Sequence, residues 1–338
     1  MRFTAEQKER IVFYLLEKIK QHKGEVSRSV SEEFDIDPAT VHSYINELIR
    51  AGKIRRIKRG QYALIEHEYS YDLYRSRGDL ASDTHAYEVC LKEHIADLPR
   101  NVREIWEYAF SEMVNNVMDH SEAETMRIVI QQDYLDTKAM ILDDGIGIFE
   151  KIRSHFGLSS LDEAIQELFK GKLTTDEINH SGEGIFFTSR LMDEFYIVSD
   201  GKVFTNNRYD VSEVFDLPEI QQGTGVLMQL SNYTKKTSRE IFDQFSSVDG
   251  GFTKTRIPLK NMFDSSPVSR SQAKRVCNGL TRFKEVEIDF SDLEWMGQGF
   301  AHQLFVVFQN EHPEIRLVPT NMGEGVQKMY THVTGKKP

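Results

Sequence analysis

The sequence predicts an α+β, multidomain protein. Three observations carry that expectation. The chain has 338 residues, more than one ordinary domain needs. Its N-terminal region has helical periodicities closed by a basic, alternating stretch. Farther on, short apolar strands end in glycine-rich turns that lead into helices. At 39% hydrophobic and 28% charged residues, the chain can bury ordinary cores. Mean hydropathy is -0.47, and no apolar run approaches the ~20 residues of a membrane span. MRFTAEQKER lacks the apolar core of a signal peptide. Cys90 and Cys277 form neither a CxxC nor a disulfide framework and read as packed thiols. A cytoplasmic protein, without membrane attachment, is the expectation.

Net charge is -11, unevenly spread: residues 1–66 hold 13 Lys/Arg against 10 Asp/Glu. Any nucleic-acid role therefore belongs at the N-terminus. TAEQKERIVFYLLEKIK, from Thr4, spaces Ile11, Leu15 and Ile19 as a helix does, with Thr4 and Gln7 set as a capping box. A second short helix is expected over EVSRSVSEEFDID. Asp37 then caps a third, Pro38 fits its first turn, and Gly52 closes it. KIRRIKRGQYALI alternates as a hairpin turning at Arg59-Gly60.

Three helices and a basic hairpin resemble a winged helix-turn-helix, here residues 1–66. That resemblance makes the third helix the reader of double-stranded DNA, through Thr40, His42, Ser43 and Asn46. Arg55, Arg56, Lys58 and Arg59 on the hairpin would contact phosphates, giving affinity without sequence information. A winged helix used only for protein docking is the alternative. Residues 67–100, with Tyr69, Tyr71, Tyr74 and Tyr87, read as a helical connector.

Residues 101–248 carry the chemistry. NVREIWEYAFSEMVNNVMDH reads as one helix, on which Glu112, Asn116 and His120 recur every four residues and share a face. A carboxylate and an amide side by side suit Mg²⁺ and a water, because a hard cation takes oxygen ligands. Such a set is also what an ordinary solvated helix face carries. RIVIQQD and TKAMILDD read as strands, the second ending in the acidic turn Asp143-Asp144-Gly145-Ile146-Gly147. HSGEGIFFTSRLMDEF is a glycine turn opening a helix, whose N-terminal amides suit an anion. QQGTGVLMQL places a Gly-Thr-Gly turn before a strand.

Helix with Glu-xxx-Asn, strand with DxGxG, GxG into a helix, then GT before a strand: that order, over residues 101–232, resembles the GHKL ATP-binding fold. The family comprises gyrase-type ATPases, Hsp90 chaperones, histidine kinases, MutL proteins and anti-sigma-factor kinases. The resemblance implies a central α/β sandwich that binds ATP and Mg²⁺. It implies that Asn116 binds the metal, that Glu112 is the general base, and that His120 helps form the phosphate side. Asp143 would accept the adenine amino hydrogen, with Thr224 near the base. Gly145 and Gly147 would let the chain turn close to the base, and Gly182 and Gly184 would touch phosphate. Asn115 and Asp119 receive no ligand role. Phe186 departs from the family, which commonly has another glycine there, and is expected to narrow the site or alter lid closure. Residues 149–181 are the expected lid. Lys170 and Lys172 read as charged lid surface, with approach to a γ-phosphate as the alternative.

Residues 250–335 read as a third unit, divided from the second near SVDGG. EVEIDF, GFAHQLFVVFQNE and EIRLVPTN form a strand, helix and strand that resemble the STAS-like domains related to anti-anti-sigma factors. In signalling STAS domains a Ser at the helix start accepts phosphate. The run Trp295 to Phe300 has neither Ser nor Thr, and Ser291 lies too early. A protein-interaction or self-association unit is therefore the expectation. Taken together, these readings predict an ATP-controlled DNA-binding transcriptional regulator with a GHKL ATPase module. The alternative is a serine/threonine kinase acting on a separate partner. A sensor histidine kinase is disfavoured, because His85 and His94 lack the helical hairpin such enzymes need.

Overall fold

The computed structural model describes residues 3–21, 25–173, 182–206, 220, 222–247, 251–263 and 265–337. The fold is α+β, with helices and three separate sheets.

The N-terminal unit has helices α1 (Ala5–Lys20), α2 (Val26–Phe34) and α3 (Pro38–Arg50), then an antiparallel pair, β1 (Ile54–Lys58) and β2 (Gln61–Leu64). The local signals act as expected. Thr4 and Gln7 form a reciprocal cap, and Asp37 accepts the Ala39 amide at 2.7 Å. Ile11, Leu15, Val30, Val41, Ile45 and Ile54 close a small core of their own.

The central sheet has six strands in the order β3-β4-β5-β8-β6-β7, every neighbouring pair antiparallel. These are β3 (His67–Tyr74), β4 (Thr125–Gln132), β5 (Asp136–Asp143), β6 (Glu194–Ser199), β7 (Lys202–Thr205) and β8 (Thr224–Ser231). Residues 67–74 are thus not part of a helical connector. HEYSYDLY pairs along its whole length with β4 and ends the sheet as an edge strand. Only α4 (Asp83–Cys90) and short turns of the expected connector are helical. The Tyr alternation was a strand signal obscured by exposed charges.

The long helix α5 (Arg100–Asn116) buries Ile105, Trp106, Phe110 and Met113. It ends in a π-helical turn, Val117–Ser121. Helices α6 (Ile148–Phe156) and α7 (Leu161–Lys170) follow β5, and α8 (Gly184–Leu191) precedes β6. Residues 174–181, the tail of the expected lid, and residues 248–250 at the expected boundary lie outside the described residues.

After α9 (Ser238–Phe245), the C-terminal unit has three parallel strands in the order β11-β10-β9. These are β9 (Lys254–Pro258), β10 (Glu285–Asp289) and β11 (Arg316–Thr320). Helix α10 (Arg270–Cys277) links the first two, and α11 (Gln298–His302), continuing through a π-helical stretch to Glu311, links the last two. Helix α12 (Glu324–Thr334) packs beside α11. Buried side chains of the central and C-terminal units form one continuous cluster. Phe186, Phe187, Phe252 and Phe283 join the two units ring against ring.

Candidate functional site

A cavity of about 260 Å³ opens between α5, the sheet and the glycine turn before α8. Glu112, Asn116 and His120 reach it from α5 and its π-turn, Asp143 and Thr224 from the sheet, and Gly182 and Gly184 from the turn. Residues up to 112 positions apart in the chain therefore meet in one place. Met113, Ile148, Ile197, Val226 and Leu168 give it apolar walls.

Each polar group is held by its element. Asp143 is the last residue of β5 and is 8% exposed. Its Oδ1 accepts the Gly145 amide at 2.9 Å. Burial pushes its carboxyl up to about 6, against the opposing pull of the Gly145 and Thr224 amides. Thr224 opens β8, and its hydroxyl accepts the Ile148 amide at 3.1 Å, tying the start of α6 to the cavity floor. The Asn116 side-chain amide donates to Met113 Sδ at 3.9 Å. His120 presents its carbonyl to the Lys151 ammonium. Tyr108, one turn before Glu112, has a phenol pushed well above its usual range by burial, then by the Glu112 and Glu183 charges.

The glycines divide into two groups. A Cβ on Gly184 would strike the Glu112 carboxylate, and one on Gly182 would lie 2.6 Å from the Leu173 backbone. Both leave backbone close to the cavity. Gly145 and Gly147 do not line it. A Cβ on Gly145 would strike the Ser121 carbonyl, and one on Gly147 the Asp200 carboxylate. They shape the acidic turn from behind, over a shallow outer depression.

Three residues without an assigned role belong to this region. Asn115 and Lys151 line the cavity. Lys151 was legible only as one charge among many on α6. Gly223 has φ +86°, and its Cα backs onto the Asp143 carbonyl, so the Gly-Thr-Gly turn is needed for close approach of two strands.

Phe186 does not narrow the cavity. It is 1% exposed and points away, between Phe245 and Phe252, with the Arg190 guanidinium 3.4 Å from its ring centre. Lys170 is not lid surface, being 1% exposed, and it does not line the cavity. Its ammonium bonds Glu167 Oε1 at 2.5 Å and the carbonyls of Arg275 and Asn278 at 2.7 and 2.9 Å. Lys172 donates to the Arg282 carbonyl at 3.2 Å.

On the N-terminal unit, His42, Ser43 and Asn46 are exposed, whereas Thr40 is half-buried. Arg55, Arg56, Lys58 and Arg59 are all exposed, beside Ile57 at 55% exposure. This unit docks on the central sheet, and Arg55 lines the cleft at the contact together with Lys20, Asp133 and Asp136. Lys20 pairs with Asp133 and Asp136, Lys53 lies 3.6 Å from the Tyr134 ring centre, and Phe13 meets Tyr233 edge-on.

The C-terminal unit contains a segment that matches a family model. Residues 272–327 match a family model described as a STAS-like domain of unknown function (DUF4325). That stretch runs from α10 into α12 and lies inside the expected third unit. No curated protein is significantly similar to the chain. Ser291 in this domain donates to Asp289 Oδ1 at 2.7 Å and is half-buried. No helix among the described residues is long and apolar enough to cross a membrane.

Proposed function

We propose that the chain is an ATP·Mg²⁺-binding regulatory protein with a GHKL-type module, whose N-terminal winged helix binds double-stranded DNA. It acts as an ATP-controlled transcriptional regulator in the cytoplasm. The observation that carries this reading is the convergence of Glu112, Asn116, His120, Asp143, Thr224, Gly182 and Gly184 on one cavity.

The residues present fit the nucleotide. A buried carboxylate beside apolar walls suits the hydrogen-donating edge of adenine, and repels a phosphate from the same spot. The Asn116 side-chain oxygen suits Mg²⁺, which keeps waters and phosphate oxygens as its other ligands. Backbone at Gly182 and Gly184, next to a helix N-terminus, suits phosphate. Bound ATP would supply the phosphoryl group, and Glu112 would take the proton from an attacking water. Gly145 and Gly147 contribute by fixing the acidic turn.

The DNA reading rests on a second arrangement. Ser43, Asn46, Arg56, Lys58 and Arg59 are exposed, and Arg55, also exposed, lines the cleft beside Lys20. The STAS-like domain supplies a surface for a protein partner or a second copy. A gel shift with unmodified protein at low salt, with and without ATP·Mg²⁺, tests the proposal. Retention of DNA that responds to nucleotide is the expected result. A protein that ignores DNA at low salt is not a DNA-binding regulator. Label transferred from ATP to a separate protein would instead favour the kinase alternative.

A further inference from the structure

The elements around the cavity face two ways. Helix α7 gives Leu168 to the cavity and Gln166, Glu167 and Lys170 to the C-terminal unit. Helix α8 begins with Gly184 and Ile185 at the cavity, then turns Phe186, Phe187 and Arg190 toward the same unit. The strongest joint is at Lys170. Its ammonium sits on the last carbonyls of α10, where the helix dipole is negative. Asn278 returns a bond to Glu167 at 3.2 Å, and Thr255 donates to the Lys170 carbonyl at 2.7 Å. The joint is low in solvent: Glu167 is 7% and Thr255 2% exposed. Beside it runs an open cleft of about 700 Å³, lined by Gln166, Arg275, Cys277 and His312.

We propose that this joint is an autoinhibitory latch, through which the C-terminal unit holds α7 away from closure over the nucleotide. The inference rests on the ATP reading above and adds its regulation. A buried ammonium with three oxygen partners has one good position. Moving α7 toward a bound nucleotide withdraws Lys170 from both α10 carbonyls and leaves the buried ammonium with Glu167 alone of its three oxygen partners. Closure therefore works against the latch. Reciprocity follows: whatever loosens the C-terminal unit tightens nucleotide binding, and nucleotide loosens the unit. A partner of the STAS-like domain that displaces α10 would thus switch the ATP site on. The interface does more than glue two units together, because the helix it grips also supplies cavity wall.

Cys277 reports on the latch. It is half-buried at the edge of the cleft, and burial pushes its thiol up to about 12, so it reacts slowly while α10 stays seated on α7. Cys90, fully buried in the central unit, is the internal control. The experiment measures maleimide labelling of both thiols in the full chain, alongside titration with a fluorescent ATP analogue and Mg²⁺. Lys170→Met, and the milder Asn278→Ala, are compared with the unmodified protein after thermal unfolding has established that each is folded. The latch predicts several-fold faster labelling of Cys277 alone in both variants, and tighter nucleotide binding. It also predicts that ATP·Mg²⁺ speeds Cys277 labelling in the unmodified protein. Unchanged labelling in both folded variants overturns the latch. Faster labelling with unchanged nucleotide affinity reduces the joint to a structural clamp and overturns the regulation. Faster labelling without nucleotide binding by any of the proteins overturns the ATP reading instead.

Discussion

Asp143 and Asp136 are the two ends of one strand: Asp143 closes the cavity floor, and Asp136 holds Lys20 of the N-terminal unit. Strand β8 runs alongside, with Thr224 at the cavity and Ser231 opposite Asp136. Asn232, just past its end, accepts from the buried Thr137 hydroxyl at 2.7 Å. The sheet-borne part of the site is thereby anchored to the unit that carries the basic hairpin, whereas α7 and α8 are anchored to the C-terminal unit.

Asp143→Asn is expected to abolish nucleotide binding, as read by ATP titration; normal titration would remove the base-reading role. The same change has a pH signature. The folded-state value of about 6 lies above the ordinary 3.8, so the protonated carboxyl favours the fold. That advantage is complete below the ordinary value and is lost as pH rises through about 6. An Asn stays neutral throughout. Relative to the unmodified protein, the variant should gain about 2 kcal/mol of stability between about pH 4 and about pH 7. Denaturant unfolding at both pH values measures this, and a pH-independent difference would contradict a charged, buried Asp143.

Glu112→Ala should keep nucleotide binding and lose turnover, whereas Asn116→Ala should lose the Mg²⁺ dependence of binding. Gly184→Ala belongs with them. Its Cβ would press on the Glu112 carboxylate, so turnover should fall while the fold persists. Phosphate release and thermal unfolding, measured on the same samples, separate the effects. Full turnover by Glu112→Ala would end its assignment as general base.

Replacing Arg55, Arg56, Lys58 and Arg59 with Ala should weaken DNA retention for every sequence tested. If all four contact phosphates, the slope of log affinity against log salt should become shallower by about 3 to 4. An unchanged slope would place the DNA elsewhere or nowhere.

Lys20→Met should destabilise the chain by about 1 to 3 kcal/mol, because Asp133 and Asp136 are left facing each other without their cation. Solvent weakens the pair, because the Lys20 side chain is 32% exposed. Calorimetric unfolding gives the loss, and a change within error would mean that the apolar contacts of Phe13 and Tyr134 carry the docking alone.

Much of the site was legible because its signals are local. Glu112 and Asn116 share a face through helix period, and Asp143 ends a strand whose alternate residues are buried. Thr224 and Gly184 stand at turns that only glycines permit. The edge strand β3 was less legible: its tyrosines alternate with Glu, Ser and Asp, and pairing with β4 overrides a composition that suggests a linker. Lys151 and Asn115 carried no distinguishing spacing at all.

The sequence by itself determined the helix caps, the glycine turns and the basic hairpin. All depend on neighbours a few positions away. Only the tertiary structure decided what Phe186 and Lys170 do. Phe186 looked like an obstruction, and became an aromatic joint because Phe252 packs against it. Lys170 looked like surface, and became a buried clamp because its carbonyl partners lie 105 and 108 positions away. Residue type and local spacing set what a side chain can do; burial and partner, which long-range packing supplies, set what it does.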